Sequence, residues 1–196
     1  MRSLERGFTL LELIVAFAVL SALAAIGVPP LLDASGDLRV RMAAQELVGA
    51  LRGARGFAIR HDANVGVKFR EVDGFLTYAL YRDGDGDGVL TRDIAAGVDP
   101  QVQAPHRLSS LGAGVGFGFP PGPPARDPGD PRRFLVPGDP IRFNQSDLAS
   151  YSSIGGATPG SLYLTDGRKR LVVVRVLGRT GRVRVLTYDF RKQVWR

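Results

Sequence analysis

Gly7-Phe8-Thr9-Leu10-Leu11-Glu12 leads directly into Leu13–Leu32, twenty residues without a charge. As a helix rising 1.5 Å per residue, that stretch spans the roughly 30 Å hydrocarbon core of a bilayer. Arg2 and Arg6 precede it, so the positive-inside bias predicts a cytoplasmic N-terminus and a chain that continues across the membrane. A secretory signal peptide is the plainer reading, with Ala22-Leu23-Ala24 as its small-residue cleavage site. Two features oppose it. Glu12 lies inside the apolar stretch, where a carboxylate is costly unless something pairs with it. The apolar run also continues past that cut, through Val28, Pro29 and Pro30 to Leu32.

The Gly7–Glu12 segment resembles the processing site of type IV pilins and type II secretion pseudopilins. The resemblance implies that a prepilin peptidase removes residues 1–7 by cutting between Gly7 and Phe8, and that Phe8 is then N-methylated. It also implies that Glu12 pairs with the terminal amine of a neighbouring subunit, an arrangement that makes a carboxylate tolerable in a low-dielectric setting. Residues 8–32 would then form the transmembrane and assembly helix. Pro29 falls where many pilins carry a helix-kinking proline, and Pro29-Pro30 is expected to bend or locally melt the helix because two backbone donors are missing.

Residues 33–62 read as an amphipathic continuation. Val40, Ala43, Ala44, Leu47, Val48, Leu51 and Ala58 recur at helical spacing, leaving Arg39, Arg41, Glu46, Arg52 and Arg55 for a solvated face. From Ala63 the period drops to two. Val65, Val67 and Phe69 alternate with Gly66 and Lys68, and Asp73-Gly74 is expected to turn the chain into Phe75–Tyr81, making a hairpin. Further strands are expected at 113–119, 140–144, 160–165, 169–177 and 182–190. Eight of the thirteen prolines lie between Phe119 and Pro140, which predicts a long irregular surface loop. The fold class is therefore α+β: a long N-terminal helix packed on a mainly antiparallel domain over 63–196, the pilin-like architecture.

Forty-four per cent hydrophobic and 23 per cent charged residues exclude a disordered or fibrous chain. The absence of cysteine removes disulfides, thiolate metal sites and cysteine nucleophiles, and two isolated histidines, His61 and His106, make a zinc enzyme a poor fit. The net charge of +7 is unevenly placed. Residues 167–196 hold ten Lys/Arg against Asp189, whereas the other 166 residues hold 16 bases and 18 acids. Such a tail points to a polyanionic partner.

Gly160–Leu164, Leu171–Val174 and Gly178–Arg184 resemble the end of the GspH/FimT group of minor pilins, which includes both a secretion pseudopilin and a pilus component. Gly181-Arg182-Val183-Arg184 matches the Gly-Arg-any-Arg motif with which FimT-type pilins bind double-stranded DNA. On a strand, Arg182 and Arg184 share one face about 7 Å apart, close to the spacing of successive phosphates. Arg168, Lys169, Arg170 and Arg179 are expected near the same hairpin end. The alternative is that Gly178 and Gly181 only shape a turn and the arginines keep an edge strand soluble.

Asp83-Gly84-Asp85-Gly86-Asp87-Gly88 reads as the start of an EF-hand-type calcium loop, with Val89 offering its carbonyl. The twelfth position is Ile94 rather than an acid; Asp93 comes one residue early, and Asp99 would substitute if the loop folds back. A polar hairpin tip is the competing reading. No nucleophile–base pair or phosphate-binding glycine loop is present in the sequence, so no enzyme activity is expected, and calcium is the single cofactor considered. Three functions follow: a FimT-type pilus subunit that binds DNA, a GspH-like subunit of a secretion pseudopilus, and a membrane-anchored calcium-binding surface protein. The partners expected are other pilin subunits, the prepilin peptidase, the inner membrane and, for the first function, DNA. The globular part is expected in the periplasm before entering a filament.

Overall fold

The computed structural model describes residues 9–72, 75–108, 114–144 and 146–196. The Gly7–Phe8 junction and the Asp73-Gly74 turn lie outside the described residues. Helix α1 runs from Leu10 to Arg60. Its first turn is closed by Thr9 and Glu12: the Thr9 N–H and hydroxyl donate to Glu12 Oε2 at 2.9 and 2.8 Å, and the Glu12 N–H donates to Thr9 Oγ1 at 3.2 Å. This reciprocal capping box satisfies donors that every helix start leaves open. The helix continues unbroken through Pro29-Pro30, which corrects the expectation of local melting. Each proline removes one donor, and the carbonyls so released are fewer than the bonds that remain around them.

The chain forms two compact units, Met1–Leu38 and Arg39–Arg196. In the first, Leu10–Val28 has a mean hydropathy of 2.4 and none of it is buried, so it is long and apolar enough to cross a membrane. In the second, α1 buries Val40, Ala43, Ala44, Leu47, Val48, Leu51, Ala54 and Ala58, the face predicted from the spacing with Ala54 added.

Two antiparallel sheets complete that unit. The first has the order β3 (Gln101–Arg107), β2 (Phe75–Arg82), β1 (Val65–Val72), β6 (Leu148–Tyr151). The second has the order β10 (Val194–Trp195), β9 (Arg182–Asp189), β8 (Leu171–Leu177), β7 (Gly160–Thr165), β4 (Gly116–Phe117), with β5 (Ile141–Phe143) also pairing β7. A short helix, α2 (Thr91–Ala96), separates β2 from β3. The sequence reading missed β3, β6, β10 and α2. β3 is exposed along most of its length and contains Pro105, so it lacks the alternation that marks a strand.

α1 and both sheets share one core, in which Val65, Val67 and Leu80 meet Leu162, Leu164, Val172, Val174 and Val176. The opposite face of the second sheet is also apolar. Tyr163, Leu171, Val173 and Tyr188 pack there with Ala125 and Leu135 from the proline-rich segment. That segment is pinned by three bonds to carbonyl or phenol groups: Trp195 Nε1–H donates to Arg126 O at 2.6 Å, Arg126 N–H to the Tyr188 hydroxyl at 3.1 Å, and an Arg175 Nη to Pro128 O at 2.6 Å. It also pairs with itself, Leu135 N–H to Ala125 O at 2.7 Å. The expected surface loop is therefore a cover for the sheet, because β8 carries apolar side chains on both faces and each face must leave water.

Leu135→Ala should cost about 2–4 kcal/mol in chemical denaturation of the full chain in nonionic micelles, as buried leucine truncations do. Phe134→Ala, at a side chain 52% exposed, should cost less than about 1 kcal/mol. Equal effects would contradict the covering role.

Candidate functional site

The β8–β9 connection is built on three contacts. Gly181 has φ +59°, a left-handed conformation, and its N–H and that of Thr180 donate to Leu177 O at 2.8 and 3.3 Å. A Cβ at Gly181 would collide with Gly155 O and would sit 2.8 Å from Arg55 Nε. Glycine is thus required there twice, by conformation and by space. Arg55, on α1, donates its Nε–H to Gly155 O at 3.0 Å and so lies beneath both glycines. This corrects its assignment to a solvated helix face, which Arg52 does occupy. The Gly178 carbonyl, in turn, accepts from Ala157 N–H at 2.8 Å, fixing the turn to the segment that follows β6.

β9 alternates as predicted. Arg182 and Arg184 are exposed, while Val183 and Val185 pack on the core. Arg182 lies opposite Leu177 and Arg184 opposite Arg175. Arg175 is committed to the Pro128 carbonyl, so its charge serves the cover rather than the surface. Arg179 is exposed on the turn. Among the described residues, no carboxylate lies within ion-pair distance of Arg179, Arg182 or Arg184.

Arg168, Lys169 and Arg170 are not part of this cluster. They form the β7–β8 turn, at the opposite end of β8 from Gly181, which over seven residues is about 20 Å away. The backbone N–H groups of all three donate to Asp166 Oδ1 at 3.0 Å, and an Arg170 Nη meets Asp166 Oδ2 at 2.7 Å. Burial would raise the Asp166 pKa, but the hydrogen bonds from Arg170, Arg168 and Lys169 outweigh it and hold the carboxyl down at about 2. The turn is organised by one aspartate. Lys169 and Gly181 are close in sequence yet sit at opposite ends of β8, which sequence distance alone does not distinguish.

The aspartate loop gathers Asp83, Asp85 and Asp87, with one carboxylate oxygen from each lying within 4.8 Å of the other two. Asp83 accepts from Gly86 N–H at 2.7 Å, Gly88 N–H at 3.0 Å and Asn64 Nδ2 at 2.9 Å; these bonds overcome its burial and lower its pKa. Asp87 is pushed up by partial burial and by the charges of Asp85 and Asp93, against the pull of Arg92 at 3.0 Å. Asp93 stands apart in α2, ion-paired to Arg92 at 3.3 Å. Val89 turns its side chain into a small cluster with Ala79, Tyr81 and Leu148. The chain does fold back to Asp99, which is buried and spends its oxygens on Gly84 N–H at 3.1 Å and Leu90 N–H at 2.9 Å. For calcium the loop therefore offers three clustered carboxylates, while Asp93 and Asp99 are engaged elsewhere.

An open groove of about 600 Å³ is lined by residues of both this loop and the arginine turn, among them Asp87, Gly88, Ser152, Thr158, Gly178 and Arg179. The acidic and basic loops share this groove although about 90 residues separate them, a proximity that no local pattern encodes.

Residues 2–28 match the family described as the prokaryotic N-terminal methylation motif. No curated protein and no solved structure matches the chain significantly. The motif, with the apolar helix and the antiparallel α+β domain, supports a type IV pilin-like or pseudopilin subunit. It implies processing by a prepilin peptidase, membrane anchoring and assembly with other pilin subunits.

Gly181→Ala should destabilise the chain by about 2–4 kcal/mol, combining left-handed strain with the collision at Gly155 and Arg55. Gly167→Ala, with φ +68° but open space around it, should cost only about 1 kcal/mol. Equal losses would show that the Gly155–Gly181 contact is loose in solution.

Proposed function

We propose that this chain is a FimT-like minor pilin that enters a pilus through its N-terminal helix and holds extracellular DNA on the β8–β9 turn and strand β9. The observation that carries the reading is the pair Arg182 and Arg184, exposed on one face of a strand whose preceding turn is locked by Gly181, with no acidic partner among the described residues. Arg179 extends the row to the groove. Guanidiniums so placed meet phosphates rather than base edges, so binding is insensitive to sequence and falls steeply with salt. The orientation proposed is a cytoplasmic N-terminus and a periplasmic domain, and no enzymatic step is assigned to any residue.

A second reading is a GspH-like subunit of a secretion pseudopilus. It is favoured by the structural employment of part of the basic tail: Arg170 on Asp166, Arg175 on Pro128 and Arg196 on Asp189 at 2.9 Å. Under it, Arg182 and Arg184 only keep β9 soluble.

Fluorescence anisotropy with a labelled duplex, using the full chain in nonionic micelles over a salt series, separates the two. The DNA reading predicts binding that weakens with salt, and a loss of about tenfold or more in Arg182→Ala/Arg184→Ala, with a salt slope lower by about two. No binding at low salt, or binding indifferent to the double substitution, would favour the pseudopilin.

A further inference from the structure

Ile154 is 92% exposed, the most exposed large apolar side chain among the described residues. It is not on a frayed segment. Gly155 N–H donates to Ser152 O at 2.9 Å, closing a four-residue turn with Ile154 at its third position, and Ser152 N–H donates to Gly156 O at 2.9 Å. Arg55 fastens the turn from below through Gly155 O at 3.0 Å, and Gly155 sits in a left-handed conformation with φ +82°. Third turn positions favour Asn, Asp, Gly or Ser, and a β-branched aliphatic there has neither a local preference nor burial to account for it.

The surroundings are basic. The Gly155 carbonyl touches the place a Gly181 side chain would occupy, so Ile154 and Arg182 are each one residue from a backbone contact. Their Cα atoms are then at most about 14 Å apart, a span of roughly two phosphates along a strand. Arg55 lies under the junction, and a Cβ on Gly155 would be 3.1 Å from both Arg55 Nη and Ile59 Cδ1. Ile59 is itself 48% exposed, so a second exposed aliphatic lies beside Gly155.

We propose that Ile154 is an apolar wedge that presses against or between the bases of the DNA whose phosphates Arg182 and Arg184 hold. A rigidly presented aliphatic next to phosphate-binding arginines is the arrangement by which proteins unstack a base step, the lost stacking being offset by burial of the side chain and by closer backbone contact. The charge around Ile154 selects a nucleic acid over an apolar protein surface as its partner. The inference rests on the DNA-binding reading and adds base contact to it.

The test uses the full chain in nonionic micelles with a duplex carrying 2-aminopurine, whose fluorescence rises on unstacking, beside anisotropy over the same salt series. Wild type should raise the fluorescence. Ile154→Ser should abolish the rise and weaken binding about three- to tenfold with the salt slope unchanged, since no phosphate contact is lost, whereas Ile154→Leu should retain both signals. Binding without a fluorescence change, equal in wild type and Ile154→Ser, would overturn the wedge and leave phosphate binding standing. Ile154→Ser that binds DNA normally but fails to enter filaments would assign the residue to a neighbouring subunit and equally overturn it. If wild type binds no duplex at low salt, the wedge falls together with the DNA reading.

Discussion

The fold depends on strands β7 and β8 carrying buried apolar side chains on both faces. Leu162, Leu164, Val172, Val174 and Val176 point one way, and Tyr163, Leu171 and Val173 the other, and nearly all are buried to within a few per cent. A sheet with two apolar faces needs a cover on each. The second part of α1 supplies one through a row of small and branched residues that lets the backbone approach closely. The proline-rich segment supplies the other, despite having almost no regular structure. Trp195, Tyr188 and Arg175 take up the carbonyl and amide groups that a covering segment must not leave unpaired.

That arrangement sets where a binding surface can form. The cover occupies the outer face of the second sheet over Val173 and Tyr188 and reaches Arg175, where Pro128 takes the guanidinium. Arg184, opposite Arg175 in register, and Arg182 beyond it lie toward the Gly181 end and stay exposed. The same end is where Gly155, Gly181 and Arg55 converge. Helix, first sheet and second sheet thus meet at one junction, which holds a basic turn rigid without using its own arginines to do so.

Much of this was legible in the sequence. The charge-free stretch after Glu12 and the helical spacing from Val40 to Ala58 announced α1, period-two alternation placed β1, β2 and β9, and short apolar runs placed β7 and β8. The alternation of Arg182 and Arg184 with two valines was readable because a strand's period is fixed. Other features were hidden for physical reasons. The capping box needs only Thr9 and Glu12 and is a local signature, but Glu12 within an apolar stretch reads equally as a buried charge. The uninterrupted Leu171–Val174 run signals burial on both faces, yet it cannot say that a segment 40 residues earlier provides the cover. The separation of Arg168–Arg170 from Gly181, and the meeting of Gly155 with Gly181, depend on strand length and on long-range packing that no local pattern encodes.

A filament subunit of this kind stands or falls with how its N-terminus is made. Intact-mass and N-terminal peptide mass spectrometry of the chain recovered from its native membrane would read this directly. The mature chain is expected to begin at Phe8 with one added methyl group, and the chain to remain unprocessed from Met1 when Gly7 is replaced. A mature chain that begins after Ala24, or one that retains residues 1–7 with Gly7 intact, would contradict that expectation.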